Sequence, residues 1–199
     1  MLVLVTGGSG VLGRSLLPLL SAEGHEVRAP SRVELGLFDP ERVAEAVQGV
    51  DAIYHLATRI PPRERRGDPG VWAENDRLRA EASRLLVDAA LAGETGIYVQ
   101  ASVTFVHQPG LESALVAERE TARFADAGRT GVVLRFGTLD GPGTDPDPGA
   151  DATIDVDDAG RALLAALAAP SGVYNVCRDG EGISNELFKR TTGWSPSRS

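Results

Sequence analysis

Cysteine, lysine, positive charge and long apolar runs are what this chain has least of. One cysteine, Cys177, stands among 199 residues, so no disulfide can close within the chain and a cytoplasmic setting is expected. The single lysine is Lys189, close to the end. Twenty Lys and Arg against 28 Asp and Glu leave a formal net charge of −8. That balance favours solubility and argues against a nucleic-acid or anionic-membrane partner. No apolar run reaches the roughly 20 residues of a membrane-spanning helix. The first one, Leu2 to Val5, yields to glycine too soon for a secretory leader, which also needs a basic start. No His/Cys/Asp cluster has metal-ligand spacing, so no metal is expected. No internal repeat is evident. With 42% hydrophobic and 24% charged residues, the chain has an ordinary globular composition. Its length suits one domain, residues 1–199, around one core.

What is present is concentrated at the start. Leu2 to Val5 reads as a buried parallel strand. A turn, Gly7-x-x-Gly10-x-x-Gly13, follows, and then Val11, Leu12, Leu16, Leu17, Leu19 and Leu20 at helical spacing. Glycine lets the backbone turn tightly and approach a pyrophosphate, whose charge the free N–H groups of the helix's first turn can bind. A three-glycine pattern is weak alone; directly after a strand and at the opening of a helix it predicts a dinucleotide site.

A second strand, His25 to Ala29, ends at Pro30-Ser31-Arg32. An acid here would hold the ribose 2′-hydroxyl of NAD. Instead Arg28 and Arg32 flank the Ser31 hydroxyl, a set suited to a 2′-phosphate, so NADP is expected with NAD as the alternative. A third strand is predicted over Val33 to Leu37, with Asp39 as N-cap and Pro40 at the first position of the next helix. Gly49 to Ala57 is the fourth strand. A basic, proline-rich loop through Arg66 and a long helix from Val71 to about Ala92 come next. The strand from Gly96 to Ala101 delivers Ser102. A helix from about Leu111 to Ala127, a strand Gly131 to Phe136 and a glycine loop at Gly141 to Gly143 follow. Thr144 to Asp151 reads as an acidic linker. Asp157 or Asp158 is expected to cap the next helix, ahead of a last strand, Ser171 to Val176, and a terminal helix, Ile183 to Thr192. This alternation predicts an α/β fold: a doubly wound parallel sheet with helices on both faces, strand order 3-2-1-4-5-6-7. The cofactor is expected at the switch point between strands 1 and 4.

Thr6-Gly7-Gly8-Ser9-Gly10-Val11-Leu12-Gly13 resembles the TGxxGxxG turn of the short-chain dehydrogenase/reductase superfamily. It is closest to the extended branch of nucleotide-sugar epimerases and dehydratases. Gly49 to Ala57 is similar to that branch's GVDxVxHLA, and Arg135 to Gly143 to its LRxGxxYGPG, with Asp140 in place of Tyr. The resemblance implies a Rossmann-like fold over nearly the whole chain. It places Thr6, Gly7, Gly10, Val11, Leu12 and Gly13 at the pyrophosphate, and Leu56, Ala57 and Thr58 along pyrophosphate and ribose. The backbone of Arg135 and Gly137 would lie at the nicotinamide carboxamide. His55 is implied as structural, and Asn75 as bending its helix and ordering a water. Helices beginning near Trp72 and Leu111 imply a homodimer. The family's substrate-binding insertion is reduced to the linker at 144–151.

In this superfamily a Ser polarises a carbonyl while a Tyr, its pKa lowered by a Lys, relays the proton. Ser102 matches the Ser. A Tyr-x-x-x-Lys pair should open the helix that carries Glu118, four to eight residues before it; those positions are Gly110 and Ala114, and no such pair occurs anywhere. His107, with a pKa suited to proton transfer near neutrality, is the leading substitute; Thr104, Glu112 and Asp140 are within range. Without Gly-x-Ser-x-Gly around Ser102, a hydrolase triad is not expected. Three readings stay open for a small-molecule substrate. They are an atypical reductase or epimerase-like enzyme, a non-redox isomerase, cyclase or dehydratase, and a dinucleotide sensor without turnover.

Overall fold

The computed structural model describes residues 1–146, 149–150, 152–180 and 182–197. Parallel strands β1 (Leu2–Thr6), β2 (Glu26–Arg28), β3 (Ala52–His55), β4 (Ile97–Val103), β5 (Thr130–Phe136) and β8 (Gly172–Val176) form a six-stranded sheet in the order β2-β1-β3-β4-β5-β8. Strand β1 shows why its sequence is apolar without alternation. Val3 and Val5 enter the core on one face and Leu4 the core on the other, as expected of a strand covered on both sides. Helices α1 (Val11–Ala22), α7 (Val156–Ala165) and α8 (Glu186–Thr192) cover the first face. Helices α3 (Pro40–Val47), α5 (Ser83–Ala92) and α6 (Glu112–Asp126) cover the second. The predicted doubly wound fold is what the chain adopts. No helix of the described residues is long and apolar enough to cross a membrane.

The expected third strand is a correction. Arg32–Leu35 forms a short helix, α2, because Ser31 and Glu34 close a capping box and Gly36, at φ 57°, ends it in the left-handed region. Reciprocal caps over four residues outweighed the period-2 pattern of Val33, Leu35 and Leu37. The sheet accordingly has the expected order with its third strand missing. Asp39 caps α3 as predicted, accepting from the Glu41 and Arg42 N–H groups. The cap of α7 is Asp155, which accepts from Asp157 N. Asp157 and Asp158 are not that cap, since they already lie inside the helix, and Asp158 is buried.

Two features were not anticipated. The helix expected from Val71 to Ala92 is α4 (Ala73–Arg77), a π-helical turn (Leu78–Ala82) and then α5. Beside the main sheet, β6 (Thr138–Asp140) pairs in parallel with β7 (Thr153–Asp155). These two strands bracket the expected linker, of which residues 147, 148 and 151 lie outside the described residues.

Candidate functional site

The switch point falls between the neighbouring strands β1 and β3: β1 leads into α1 on one face of the sheet and β3 into α5 on the other. There Gly7 turns the chain at φ 77°, and Gly10 N–H donates to the Gly7 carbonyl at 2.9 Å. A Cβ on Gly7 would stand 2.7 Å from Ala57 N, and one on Gly13 only 2.5 Å from Gly7 O and Gly8 Cα. Only hydrogen fits at these two places. Gly10 is the N-cap of α1 yet offers no side chain, and the first turn carries no acid. The first helical bond runs from Arg14 N to Gly10 O, so the N–H groups of Val11, Leu12 and Gly13 are left to an outside acceptor. An uncapped helix start behind a glycine cradle fits the pyrophosphate of a dinucleotide. Leu56 N–H donates to Thr6 O at 3.1 Å, which lays the Leu56–Ala57 backbone along the cradle and leaves Thr58 exposed.

The end of β2 looks different from its sequence. Arg28 Nη1 donates to the carbonyls of Ala46 (2.7 Å) and Gln48 (3.3 Å), closing the C-terminus of α3. The Ser31 hydroxyl is engaged in the α2 cap. Arg32 pairs with Glu74 at 2.6 Å and is well exposed. The three residues read as one phosphate grip therefore point to three places.

His55 is buried and structural, as expected. Its Nε2–H donates to the Leu78 carbonyl at 2.9 Å, and in that tautomer Nδ1 accepts from the Thr6 hydroxyl at 2.7 Å. Burial pushes its pKa down to about 4. The Leu78 carbonyl opens the π-helical turn, so His55 ties β1 and β3 to the place where the helix departs from α geometry. Asn75, fully buried on α4, accepts from Arg59 N–H at 3.0 Å through Oδ1. Its Nδ2 has no partner among the described residues.

Ser102 and Arg135 are directly opposed in the β4–β5 ladder. Both reach Glu118 on α6. The Ser102 hydroxyl donates to Glu118 Oε1 at 2.6 Å, Arg135 Nε to the same oxygen at 2.9 Å, and Arg135 Nη2 to Oε2 at 2.6 Å. Glu118 is 9% exposed. Its bonds raise the pKa of Arg135 and keep the guanidinium charged. Gly137, just beyond β5, donates its N–H to Val176 O.

The other expected groups are placed apart from Ser102. His107 is exposed on the β4–α6 loop, and no hydrogen bond joins it to Ser102 among the described residues. Glu112 accepts from Gly110 N–H, and Asp140 pairs with Arg178 at 2.7 Å. Arg63, in the basic loop, makes two bonds to the Asp145 carboxylate at 3.0 and 3.1 Å, joining the two loops. Sequence reasoning missed Glu118 and Arg14. Arg14, on the first turn of α1, donates to Ser9 O and lies close against Gly143. The signal for Glu118 is an acid on the apolar side of its helix, four residues beyond Ala114.

Residues 3–106 match the NAD dependent epimerase/dehydratase family. A 3-diazoavenalumate denitrifying reductase from a Streptomyces species is 30% identical over 256 aligned positions, which take in all of this chain and 84% of that protein. The alignment is longer than the chain, so the relative carries segments that this chain lacks. A 2-alkyl-3-oxoalkanoate reductase of Stenotrophomonas maltophilia is 40% identical over 89 positions, 38% of this chain and 24% of that protein. Among solved structures, a short-chain dehydrogenase/reductase superfamily protein from Agrobacterium tumefaciens with bound NAD superposes with a TM-score of 0.78 at 19% identity. That match covers 100% of this chain and 93% of the other. The UDP-glucuronic acid 4-epimerase of Bacillus cereus gives 0.79 at 16%, covering 100% and 95%. The glycine cradle, the sheet order and these matches agree: the chain belongs to the NAD-dependent epimerase/dehydratase family.

Proposed function

We propose that this chain is an enzyme that binds a nicotinamide dinucleotide and acts on a small molecule in the cleft over Ser102. It is an oxidoreductase or epimerase-like catalyst that works without a Tyr/Lys relay. The observation that carries the reading is a juxtaposition. The uncapped start of α1, at the end of β1, and Ser102 and Arg135, near the ends of β4 and β5, lie at the C-terminal edge of one parallel sheet with β3 between them, the edge where open α/β sheets bind ligands. Thr6, Gly7, Gly10, Val11, Leu12 and Gly13 hold the pyrophosphate. Leu56, Ala57 and Thr58 run beside it, and the backbone of Arg135 and Gly137 borders the nicotinamide. When bound, that ring supplies or accepts hydride. The chain's own part is to seat the substrate at Ser102, with the free Nδ2 of Asn75 behind it. Glu118, rather than His107, is the acid–base group in contact with Ser102. His107 enters the chemistry only if the β4–α6 loop moves.

The relatives' names support redox or epimerase chemistry, and the structural neighbours that carry NAD support the cofactor class. The finer preference, NADPH over NADH, rests on Arg32 alone, because Arg28 and Ser31 are engaged elsewhere. A cytoplasmic enzyme in one domain, paired as a homodimer through α4–α5 and α6, completes the reading. A monomer mass in light scattering across a concentration series would exclude the dimer.

The deciding assay follows product and reduced nicotinamide together, with and without added cofactor, on matched alcohol, ketone and nucleotide-sugar panels. Turnover that depends on cofactor and falls by about 10²–10³-fold in Ser102→Ala is expected. Full turnover by cofactor-free protein would replace this reading with a non-redox isomerase or cyclase. Tight cofactor binding without turnover on any panel would leave a sensor.

A further inference from the structure

Arg79, on the π-helical turn, is a buried guanidinium with no hydrogen bond and no close ion pair among the described residues. It is 9% exposed, and its Nη1 is closed off from solvent with nothing to donate to. Nε and Nη2 are equally unpartnered but are not closed off. Burial lowers the pKa of this group, and the Asp76 carboxylate opposes that fall through space. That carboxylate is occupied elsewhere, its Oδ1 accepting from the Ser113 hydroxyl at 2.7 Å. One turn before Arg79, fully buried Asn75 holds a second orphan donor, Nδ2. Side chains one turn apart are neighbours on a helix face, with Cβ atoms roughly 6 Å from each other. Three bonds fix where the pair lies. Asn75 Oδ1 holds Arg59 N–H, on the loop after β3, and Asp76 holds Ser113, at the start of α6. Ser83, one turn beyond Arg79, donates to Gln100 Oε1 on β4 at 3.1 Å. Arg79 stands among these ties, where the π-helical turn meets the C-terminal end of β4 and the first turn of α6. Beside Ser113, Ala114 brings only a methyl group to the place where a Lys is expected. A buried cation without a partner is strongly destabilising, and guanidinium and amide N–H groups can only donate. What the two orphans lack is an anion.

We propose that Arg79 and Asn75 form a seat for a carboxylate, so that the small molecule taken at this edge of the sheet is an organic acid. The inference rests on the proposed reading of this edge as the substrate site and adds the class of substrate. A carboxylate fits in charge and shape, because a guanidinium grips its two oxygens with parallel bonds. A phosphate dianion would bring a second negative charge towards Asp76. Nε and Nη2 give the acid its way in. Nη1 and the Asn75 Nδ2 become partnered as the two side chains turn onto it.

The test titrates the whole protein, without cofactor, with para-fluorobenzoate and with para-fluorobenzamide, followed by fluorine NMR. The acid is expected to bind and the amide is not. Arg79→Met should weaken the acid by about tenfold or more, the usual effect of losing a charge-assisted bond. Arg79→Lys keeps the charge but not the fork and should fall between the two. Asn75→Ala should weaken the acid by less than Arg79→Met does. Thermal unfolding gives a second reading. Methionine has similar length and no charge, so without ligand Arg79→Met should leave the midpoint unchanged or raise it. Added para-fluorobenzoate should raise the midpoint of the parent and not of that variant. Equal binding of acid and amide, or an acid affinity unmoved in Arg79→Met, overturns the proposal. So does a midpoint lowered in Arg79→Met without ligand, since the guanidinium would then be partnered within the fold. No turnover enters these measurements, so the proposed reaction can fail while the seat stands. Cofactor-dependent turnover of neutral alcohols and ketones, with no acid bound, would keep the reaction and remove the seat.

Discussion

At the β1–α1 turn the chain keeps its family's pattern, and on the β4–α6 side of the same cleft it abandons it. The cradle demands hydrogen at Gly7 and Gly13 because backbone stands 2.5–2.7 Å from where a Cβ would be. On the other side, Gly110 and Ala114 occupy the positions of the expected Tyr and Lys, four residues apart. The Ser102 hydroxyl meets a carboxylate instead of facing a phenol and an ammonium. On the proposed reading, the difference teaches that cofactor binding and proton handling are separable. The first depends on backbone shape, with little freedom to vary. The second depends on side chains, which can be exchanged provided that the buried charge is balanced, as Arg135 balances Glu118.

The sharpest way to break this comparison is at the cradle. Gly13→Val should weaken NAD(H) binding by roughly 100-fold, since the added carbons collide with Gly7 O and Gly8 Cα and force the turn open. Calorimetric titration that finds parental affinity would mean that the cradle is not where the cofactor sits.

His55 ties Thr6 of β1 to the Leu78 carbonyl, and pH reaches it. Its folded-state pKa, near 4, lies below its ordinary value of 6.5. As pH falls, the unfolded chain therefore takes up the proton first. The stability from neutral, buried His55 is whole above about pH 6.5 and is lost as pH falls towards 4, by at most about 3 kcal/mol. Urea unfolding of the parent and of His55→Gln at pH 7.5 and 5.0 checks this. The parent should lose more stability than the variant between the two values, and parallel losses would sink the assignment.

The smallest effect is expected at Arg32. The side chain is about two-thirds exposed and already paired with Glu74, so a 2′-phosphate competes for it in water. Arg32→Asp should lower the NADPH-to-NADH affinity ratio by about tenfold, roughly 1.4 kcal/mol. Arg28→Ala should instead lower stability by uncapping α3, with little change in that ratio. An Arg32→Asp protein with an unaltered ratio would remove the structural basis for preferring NADP.

Much of this was open to reading from the sequence, and what was hidden has a common cause. The glycine turn, the Asp39 cap and the buried strands announce themselves because their requirements are met within a few residues. The α2 segment misled for an instructive reason. Val33, Leu35 and Leu37 alternate as a strand does, while Ser31 and Glu34, three apart, formed a capping box that won locally. Arg28, Ser31 and Arg32 looked like one grip because they are neighbours in the chain. Their partners lie on α3, in the α2 cap and on α4, up to 42 positions away.

The sequence by itself determined the fold class, the cofactor cradle and the absence of the Tyr/Lys relay, since each depends on steric needs or residue identities that tertiary contacts cannot change. Only the tertiary structure decided what Ser102 meets. Ser102, Glu118 and Arg135 are separated by 16 and 17 residues. The register of β4 against β5, with α6 laid across them, is what brings one carboxylate within hydrogen-bonding reach of both partners.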